Sequence, residues 1–350
     1  MAMVQHHPAL RRHAAPVCSV CIANFNGAKL LGHCVDSVLS QDTEVPVEII
    51  VHDDASTDDS IELLHKHYPQ VEILASKENV GFCVGNNRMV GHARGEYVLL
   101  LNNDAALFTD AIRTLLTAAR AQRPRGILTL PQYDWQTGYL VDRGCLLDPF
   151  YNPVPNTAEK RNDVAYVLGA CLFLPRGLWK ELEGFPEWLG SLAEDMYLCC
   201  LARLRGSPVQ ATQGSGYRHR QGATFGGNKV EAGRLNTTYR RRALSERNKT
   251  AVMVICTPGW MVWPLLTAHV LFLVAEGFVV ACFKRDMRIL REIYLSAVGQ
   301  LWSRRRILIA ARKSAQARRM IAFRNYWRVF TPVPRKLVLL ARHGLPNVNR

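Results

Sequence analysis

Residues 97–104 constrain the fold of this chain more strongly than any other stretch. Residues 97–101 are apolar without interruption, and Asn102, Asn103 and Asp104 follow them directly. A short, unbroken apolar run is typical of a strand that is buried on both faces of a parallel sheet. Such a sheet binds its ligand just beyond the carboxyl ends of its strands. The pattern therefore predicts Asp104 at the rim of a ligand site, where it can hold a divalent cation, although the three polar residues also suit a simple turn.

Strand and helix patterns alternate four times in the first third of the chain, which predicts a parallel, doubly wound α/β sheet. The predicted strands are residues 17–23, 47–51, 71–75 and 97–101. Polar clusters stand at the carboxyl ends of three of these strands, at 24–26, 53–54 and 102–104. This repeated position indicates a ligand site more strongly than any single cluster does.

The middle of the chain has a weaker pattern. The apolar run 164–174 predicts a long strand that is either antiparallel or at the edge of a mixed sheet. Glu194 and Asp195 open a helix that is predicted for residues 196–205. No Gly-x-Gly-x-x-Gly follows the first predicted strand, which weakens a dinucleotide-binding interpretation. No Gly-x-Ser-x-Gly elbow occurs, which weakens a hydrolase interpretation.

The composition indicates one sizeable domain with an extension, in a reducing compartment. The chain has 350 residues, of which 48% are hydrophobic, enough for a large core. Its 10 cysteines have no even spacing, and Cys18 and Cys21 would point to opposite faces of one strand, so we predict free thiols. Residues 1–15 contain no apolar signal segment. We expect a flexible tail there, with His6, His7 and His13 in it rather than in a metal site.

Positive charge is concentrated at the end of the chain. Residues 284–350 hold 17 of the 44 Lys and Arg side chains but only two of the 29 acidic ones, so they carry the entire net charge of +15. A basic tail of this kind indicates nucleic acid or an anionic membrane surface as its partner. No recognised nucleic-acid motif is present, so we predict that the partner is not nucleic acid.

The apolar segment 251–283 precedes this basic tail. Pro264, Glu276 and Gly277 interrupt it, and a spanning helix needs roughly 20 mostly apolar residues. We therefore favour one or two helices that lie in the membrane interface, with Trp260 and Trp263 at headgroup depth. A single membrane span is the first alternative. A solvated helical bundle that covers the preceding domain or forms a homodimer is the second.

Five motifs in the first 224 residues together resemble one protein family. They are Ala-Asn-Phe-Asn at 23–26, Asp-Asp-Ala-Ser-Thr-Asp at 53–58, Asn-Val-Gly-Phe at 79–82 with Gly-Asn-Asn at 85–87, Gly-Glu-Tyr at 95–97 with Asn-Asn-Asp at 102–104, and Glu-Asp at 194–195 with the loop 219–224. In this order they resemble the inverting family 2 glycosyltransferases of GT-A fold. The similarity is to the bacterial rhamnosyltransferase-like branch of surface-polysaccharide synthesis. The metal motif of that family is usually Asp-x-Asp, whereas Asn102 here brings no charge.

The resemblance implies a domain organisation and an activity. A GT-A domain would cover residues 16–250, and a helical, membrane-associating region would cover 251–350. The enzyme would transfer a sugar from dTDP-rhamnose, or from another dTDP-, UDP- or GDP-sugar, to a hydroxyl of a lipid-linked or growing glycan with inversion. It would work as a peripheral protein at the cytoplasmic face of the inner membrane. The alternative is a non-catalytic relative that binds a nucleotide sugar or a glycan.

The resemblance also implies a role for each motif residue. Asp54 would accept the ring N–H of the base, and Asp53 or Asn24 would hold the ribose. Asp104 would hold Mg2+ or Mn2+ on the diphosphate, with His219 as a second ligand. Asp195 would be the general base, and Trp188 and Glu194 would contact the acceptor. The donor-binding residues would be Ala23, Asn24, Asn26, Asp53, Asp54, Asn79, Gly81, Asn86, Asn102 and Asn103.

Overall fold

The computed structural model describes residues 4–10, 15–220, 227–231 and 234–349. The chain divides into two compact units. The sheet unit holds the described residues of 1–145, 155–202 and 207–221, and the helical unit holds those of 146–154, 203–206 and 222–350. The predicted boundary at residue 250 falls inside the continuous helix Tyr239–Cys256, whose residues from Glu246 onward are buried, and this helix lies in the helical unit.

The described strands and helices are numbered in chain order. The strands are β1 (Val4–His7), β2 (Cys18–Asn24), β3 (Val47–Asp53), β4 (Val71–Ser76), β5 (Tyr97–Asn102), β6 (Ala105–Leu107), β7 (Ile127–Thr129), β8 (Gln132–Asp134), β9 (Leu140–Asp142), β10 (Cys145–Leu147), β11 (Pro153–Pro155), β12 (Cys171–Pro175), β13 (Val209–Ala211), β14 (Tyr217–His219), β15 (Gly227–Glu231), β16 (Arg234–Thr238) and β17 (Asn347–Asn349). The helices are α1 (Ala28–Leu39), α2 (Ser60–His67), α3 (Phe82–His92), α4 (Ala111–Ala121), α5 (Arg176–Glu181), α6 (Glu194–Leu204), α7 (Tyr239–Cys256), α8 (Val262–Lys284), α9 (Ser296–Ser303), α10 (Arg305–Ala317), α11 (Phe323–Trp327) and α12 (Arg335–His343).

An eight-stranded sheet forms the centre of the sheet unit, in the order β1-β4-β3-β2-β5-β12-β7-β13. The four strands predicted from the alternating pattern, β2 to β5, are parallel to one another, which confirms the doubly wound α/β arrangement. The ladder sets Asn24 opposite Asp53 and Ala23 opposite Asn102. Three polar clusters therefore meet at one end of the sheet.

Both faces of the sheet are covered, as its unbroken apolar strands require. On one face, Val20, Val51 and Leu99 pack with residues of α1, α2 and α4 in a single buried cluster. On the other face, α3 packs against β2 and β3, where Gly85 approaches the ring of His52. The helices thus hold the strand ends in place from both sides.

Two expectations about the sheet are corrected. Residues 4–7 are not a tail, because β1 pairs antiparallel with β4 at the edge of the sheet; residues 1–3 and 11–14 lie outside the described residues. The strand predicted for 164–174 is limited to Cys171–Pro175, and it lies inside the sheet between β5 and β7. Residues 164–167 are buried as a loop, and burial without a ladder gives the same apolar signal in a sequence.

Helices dominate the helical unit, and α8 is one continuous helix of 23 residues. We predicted that Pro264 and Gly277 would interrupt it. Pro264 instead occupies the first turn, where a missing N–H costs nothing. Gly277 allows a close approach, since a Cβ there would lie 2.6 Å from the Tyr294 ring. By length and composition, with a mean hydropathy of 2.1, Gly259–Lys284 is the single helical stretch among the described residues that could cross a membrane.

Candidate active site

The first group of site residues is a hydrogen-bonded set at the ends of β2, β3 and β5. Asn24 Nδ2 donates to Asp53 Oδ2 at 2.9 Å, and Asn103 Nδ2 donates to Asn24 Oδ1 at 2.8 Å. Asp53 has no exposed surface, and its second oxygen accepts from Ser56 N at 3.0 Å. Asp53 therefore fixes the position of Asn24 through one oxygen and of the Ser56 backbone through the other.

Gly27 shows how tightly this turn is packed. A Cβ at position 27 would lie 2.1 Å from Asn103 Nδ2 and 2.3 Å from Asn24 Oδ1. Any side chain would therefore separate the two amides. Asn26 fixes the outer part of the same turn, because its Oδ1 accepts from Thr57 N at 2.7 Å.

Asp54 holds the turn that precedes α3. Its Oδ1 accepts from Val80 N at 2.7 Å, and its Oδ2 accepts from Gly81 N at 2.9 Å. Asn79 Nδ2 donates to the Asp54 carbonyl at 3.4 Å, so the predicted donor residues 54, 79 and 81 lie together. Gly81 has φ +86, a conformation that favours glycine. Each oxygen of a carboxylate can accept a second hydrogen bond, so Asp54 can still meet a ligand donor.

Asp104 and His219 meet although 115 positions separate them in the chain. The short strand β6, which follows Asp104, pairs with β14 and sets His219 opposite Ala105. His219 Nε2 consequently lies 3.1 Å from Asp104 Oδ1, and both residues are buried. The Asn102 side-chain amide, at the end of β5, makes no hydrogen bond within the described part of the chain.

Gln132 lies on the other side of the His219 ring from Asp104. Gln132 Oε1 accepts from Tyr217 OH at 2.7 Å and lies 3.1 Å from His219 Nδ1. When the ring hydrogen is on Nδ1, it donates to Gln132, and the Nε2 lone pair faces the Asp104 carboxylate. In that tautomer the two acceptors, 3.1 Å apart, suit a cation between them. The pair is therefore suited to a divalent cation.

Sequence reasoning missed Gln132 and a neighbouring carboxylate, Asp142. Residue 142 on β9 lies opposite Gln132 on β8. Burial raises the pKa of Asp142 to about 7, although the hydrogen bond from Gly144 N and the nearby His219 lower it. Both residues belong to three-residue strands, which are too short to give a pattern that a sequence search would detect.

Glu194 and Asp195 begin α6 directly after two residues in a left-handed conformation. Leu192 and Ala193 have φ +70 and +66, which is strained for side chains other than glycine. Gly169 N donates to Asp195 Oδ2 at 3.0 Å, while the next carbonyl, that of Ala170, accepts from Asn102 N at 3.2 Å. The segment 169–170 therefore places Asp195 at the same end of the sheet as Asn102.

The electrostatic setting of this pair is unusual. Burial raises the pKa of Asp195 to about 6, against the lowering by the N–H groups of Gly169 and Met196. Burial and then the nearby Asp195 raise the pKa of Glu194 well above its ordinary value. Among the described residues, Glu194 Oε2 is buried without a hydrogen-bond partner. A carboxylate that titrates near neutrality can take a proton from a hydroxyl group.

The remaining predicted residues make mainly local contacts near α3. Asn86 is 1% exposed, and its amide donates to the Phe82 carbonyl within α3, so it supports that helix. Trp188 is half-buried in the short 3-10 turn Glu187–Leu189. Gly190, which follows, accepts from Cys83 N and so joins this turn to α3. Residues 221–224 of the predicted histidine loop lie outside the described residues.

Sequence comparison relates part of this chain to known glycosyltransferases. Residues 19–167 match the sequence model of the family described as Glycosyl transferase family 2. A chondroitin synthase of Escherichia coli is 31% identical over 188 residues, which are 52% of this chain and 26% of that protein. An N-acetylglucosaminyl-diphospho-decaprenol L-rhamnosyltransferase of Mycobacterium tuberculosis is 26% identical over 190 residues, 46% of this chain and 62% of that protein. The chain thus corresponds to only part of each relative.

A solved structure extends the comparison to the fold. The mannosyltransferase PcManGT from Pyrobaculum calidifontis, in complex with GDP-Man and Mn2+, superposes with a TM-score of 0.50 and 16% identity. The match covers 85% of this chain and 90% of that one. The chain has a GT-A-like mixed α/β fold with a mostly helical C-terminal region, as predicted.

Proposed function

We propose that this chain, of which residues 19–167 match the model of glycosyl transferase family 2, transfers a sugar from a nucleotide-sugar donor to a hydroxyl group of a glycan acceptor, with inversion. One observation carries the proposal. In the segment 169–170, the N–H of Gly169 donates to the Asp195 side chain, and the carbonyl of Ala170 accepts from the Asn102 N–H. A base and a cation-binding motif are thereby held on one rigid connection at the end of the sheet.

The donor nucleotide would lie over the ends of β2 and β3. In our proposal Asp54 receives the N–H of the base, because the turn 79–81 holds its carboxylate in place and each oxygen can accept a second hydrogen bond. Asn24 and Asn103 face the ribose and the diphosphate. Asp53 has no exposed surface, so we assign it a positioning role through Asn24 rather than direct contact with the ribose.

Asp104 and His219 would hold the metal ion. Their acceptor atoms, 3.1 Å apart, fit Mg2+ or Mn2+ as the cation between them. The uncharged Asn102 can add an oxygen ligand without changing the net charge. When bound, such an ion neutralises the diphosphate as it leaves the sugar. Gln132 keeps the Nε2 lone pair of His219 directed at this position.

Asp195 would act as the general base. A single in-line displacement inverts the anomeric carbon, so one base is sufficient and no covalent intermediate is formed. Asp195 Oδ2 takes the acceptor proton while the N–H of Gly169 holds the carboxylate in place. Trp188 and Glu194 would line the acceptor side. We propose an acceptor that is a lipid-linked or growing glycan, and a donor that is dTDP-rhamnose or another dTDP-, UDP- or GDP-sugar.

A donor panel tests the proposal. The purified full-length chain is incubated with dTDP-, UDP- and GDP-sugars, and release of the nucleotide diphosphate is measured with Mn2+, Mg2+ or EDTA. We expect one donor class to be cleaved, EDTA to abolish cleavage, and Asp104→Asn to reduce it by about 100-fold or more. Asp59→Asn, which alters an exposed carboxylate at the start of α2, should have no effect.

Two other outcomes of the panel are informative. Metal-dependent binding of a donor with no turnover on any acceptor supports the alternative of a non-catalytic relative. Failure to bind any nucleotide sugar contradicts both interpretations.

We further propose that the helical unit attaches the protein to the cytoplasmic face of the inner membrane. The inward side of α8, including His269, Leu273 and Gly277, packs within the unit. Its other side exposes Phe272 and Phe278, and Trp260 lies just before it with 72% of its surface exposed. An apolar outer surface beside the basic residues of 284–349 suits an anionic lipid surface.

Vesicle sedimentation of the full-length chain tests this attachment. We expect binding to anionic vesicles, weaker binding to neutral ones, and partial release by high salt, because apolar insertion is insensitive to screening. Release from cell membranes by detergent alone, and never by alkaline carbonate, would assign α8 as a span instead. Absence of binding to both kinds of vesicle would leave the helical unit as a packing or homodimer element.

A further inference from the structure

Three side chains from different elements converge at the edge of the sheet, away from the site described above. They are His6 on β1, Glu72 on β4 and His92 at the end of α3. His6 Nε2 lies 2.8 Å from Glu72 Oε1, and His92 Nε2 contacts the same oxygen. All of these ligand atoms lie within 4.8 Å of one another.

We propose that His6, Glu72 and His92 bind a first-row divalent cation of the Zn2+ class and that this cation fastens β1 to the sheet. Two imidazole nitrogens and one carboxylate oxygen are the ligands that zinc prefers, with water in the fourth position. Mg2+ and Ca2+ prefer sites built from oxygen atoms, so this site discriminates against Mg2+, one of the two cations proposed for Asp104.

The burial of Glu72 supports the proposal. Its side chain is 5% exposed, and a buried carboxylate must be paired or must coordinate a metal. The two histidines are 37% and 38% exposed, so a cation can reach their nitrogens from solvent. Their rings meet edge to face with centroids 4.6 Å apart, so both nitrogens lie on the same side of the Glu72 carboxylate as one another and can share one cation with it.

The ligand atoms are close enough to share one cation. Bonds of about 2.0–2.2 Å in a tetrahedral site place ligand atoms about 3.3–3.6 Å apart. Glu72 Oε1 lies closer than this to both histidine nitrogens, and all the ligand atoms lie within 4.8 Å of one another, so a bound cation would move the side chains slightly apart. The strand register puts His6 opposite Leu74, so His6 and Glu72 are diagonal neighbours on the face that α3 covers. His7 points to the other face, where its ring meets that of His65.

Titration of the full-length, untagged chain with Zn2+ tests the site. Asp104→Asn serves as the background and excess Mg2+ is present, so that the proposed catalytic metal site does not contribute. We expect one Zn2+ per chain by calorimetry, and a Co2+ derivative with the visible absorption of a low-coordinate site. His6→Ala and His92→Ala should each weaken binding about 100-fold or more. His7→Ala, one position away on the opposite face, should leave the affinity unchanged.

Hydrogen exchange tests the fastening role separately. Zn2+ should slow exchange of the residue 4–7 amides in the parent chain but not in His92→Ala, which leaves β1 itself unaltered. The proposal is overturned if the His6→Ala/His92→Ala double variant binds Zn2+ as the parent does, or if His7→Ala loses as much affinity as His6→Ala. Unchanged exchange of residues 4–7 in the zinc-bound chain overturns the fastening role.

Discussion

Buried carboxylates occur in both units of the chain, and their surroundings differ. In the sheet unit, the buried Glu194 and the partly buried Asp195 are adjacent like charges, and burial raises the pKa of both. In the helical unit, Glu246 is buried like Glu194 but lies 2.7 Å from Lys249 Nζ and 2.6 Å from Lys336 Nζ. Burial alone would raise the pKa of Glu246, but Lys249, Lys336 and Arg242 together hold it well below its usual range.

The difference separates two uses of buried charge. A carboxylate between two ammonium groups stays ionised, so it joins α7 to α12 and offers no proton chemistry near neutral pH. A carboxylate beside another carboxylate has a raised pKa, closer to neutral pH, where it can exchange a proton with a substrate. The helical unit therefore uses its buried acid for architecture, and we propose that the sheet unit uses its pair for catalysis.

The largest expected effect is on turnover. Asp195→Asn removes the base but keeps the shape and an acceptor oxygen for the Gly169 N–H. We expect kcat to fall about 100- to 10,000-fold while donor affinity changes little. Single-turnover assays and donor binding by calorimetry separate the two quantities. Turnover near that of the parent would mean that another residue is the base. The proposed difference between a catalytic carboxylate pair and the structural Glu246 would then not hold.

The next effect is on stability, in the helical unit. Glu246→Ala leaves Lys249 and Lys336 without their shared partner, and the loss should be about 3–5 kcal/mol in the free energy of unfolding. Urea unfolding measures it. The matched control is Asp42→Ala, which breaks the exposed pair with Arg113 and should cost less than about 1 kcal/mol.

A rescue variant sharpens this result. Replacing all three members, as Glu246→Ala, Lys249→Met and Lys336→Met, should recover part of the loss, since no charge is then left buried alone. Equal losses for Glu246→Ala and Asp42→Ala would show that the buried cluster does not stabilise the fold as described.

Glu194→Gln should raise the free energy of unfolding, whereas Glu246→Ala should lower it. The folded state raises the pKa of Glu194 above the ordinary value of 4.5, so the folded chain binds more protons and loses stability as pH rises beyond that value. The neutral amide removes this loss. We expect a gain in the free energy of unfolding at pH 7 that disappears near pH 4, below the ordinary pKa of the carboxyl group. A stability gain of the same size at both pH values would show that it comes from packing and not from the titration of Glu194.

The smallest effect is on the pH profile. If Asp195 is the base, kcat/KM should fall about tenfold for each pH unit below about 6 and level off above it, because only the carboxylate accepts a proton. The profile is recorded with saturating metal ion, so that protonation of the metal ligands does not contribute. A flat profile between about pH 5 and pH 8 would argue against a raised pKa in the free enzyme.

Local patterns were sufficient for most of the sheet and for several parts of the site. The apolar runs predicted β2, β3, β4 and β5, because a strand buried on both faces must be apolar throughout. The same patterns placed Asn24, Asp53 and Asn102 at strand ends, where the parallel ladder brings them together. The charge of the last 67 residues was likewise evident from composition alone.

Apolar periodicity could not predict long-range pairing, because it specifies which residues are buried and not which strand edges meet, and only the family resemblance linked His219 to Asp104 beforehand. Tertiary structure brought His219 to Asp104 through β6 and β14, and it added Gln132 and Asp142 from strands of three residues each. It also turned the expected tail into β1 and thereby brought His6 to Glu72 and His92. The pKa of Asp195 belongs to the same class, since it depends on burial that only the packed chain produces.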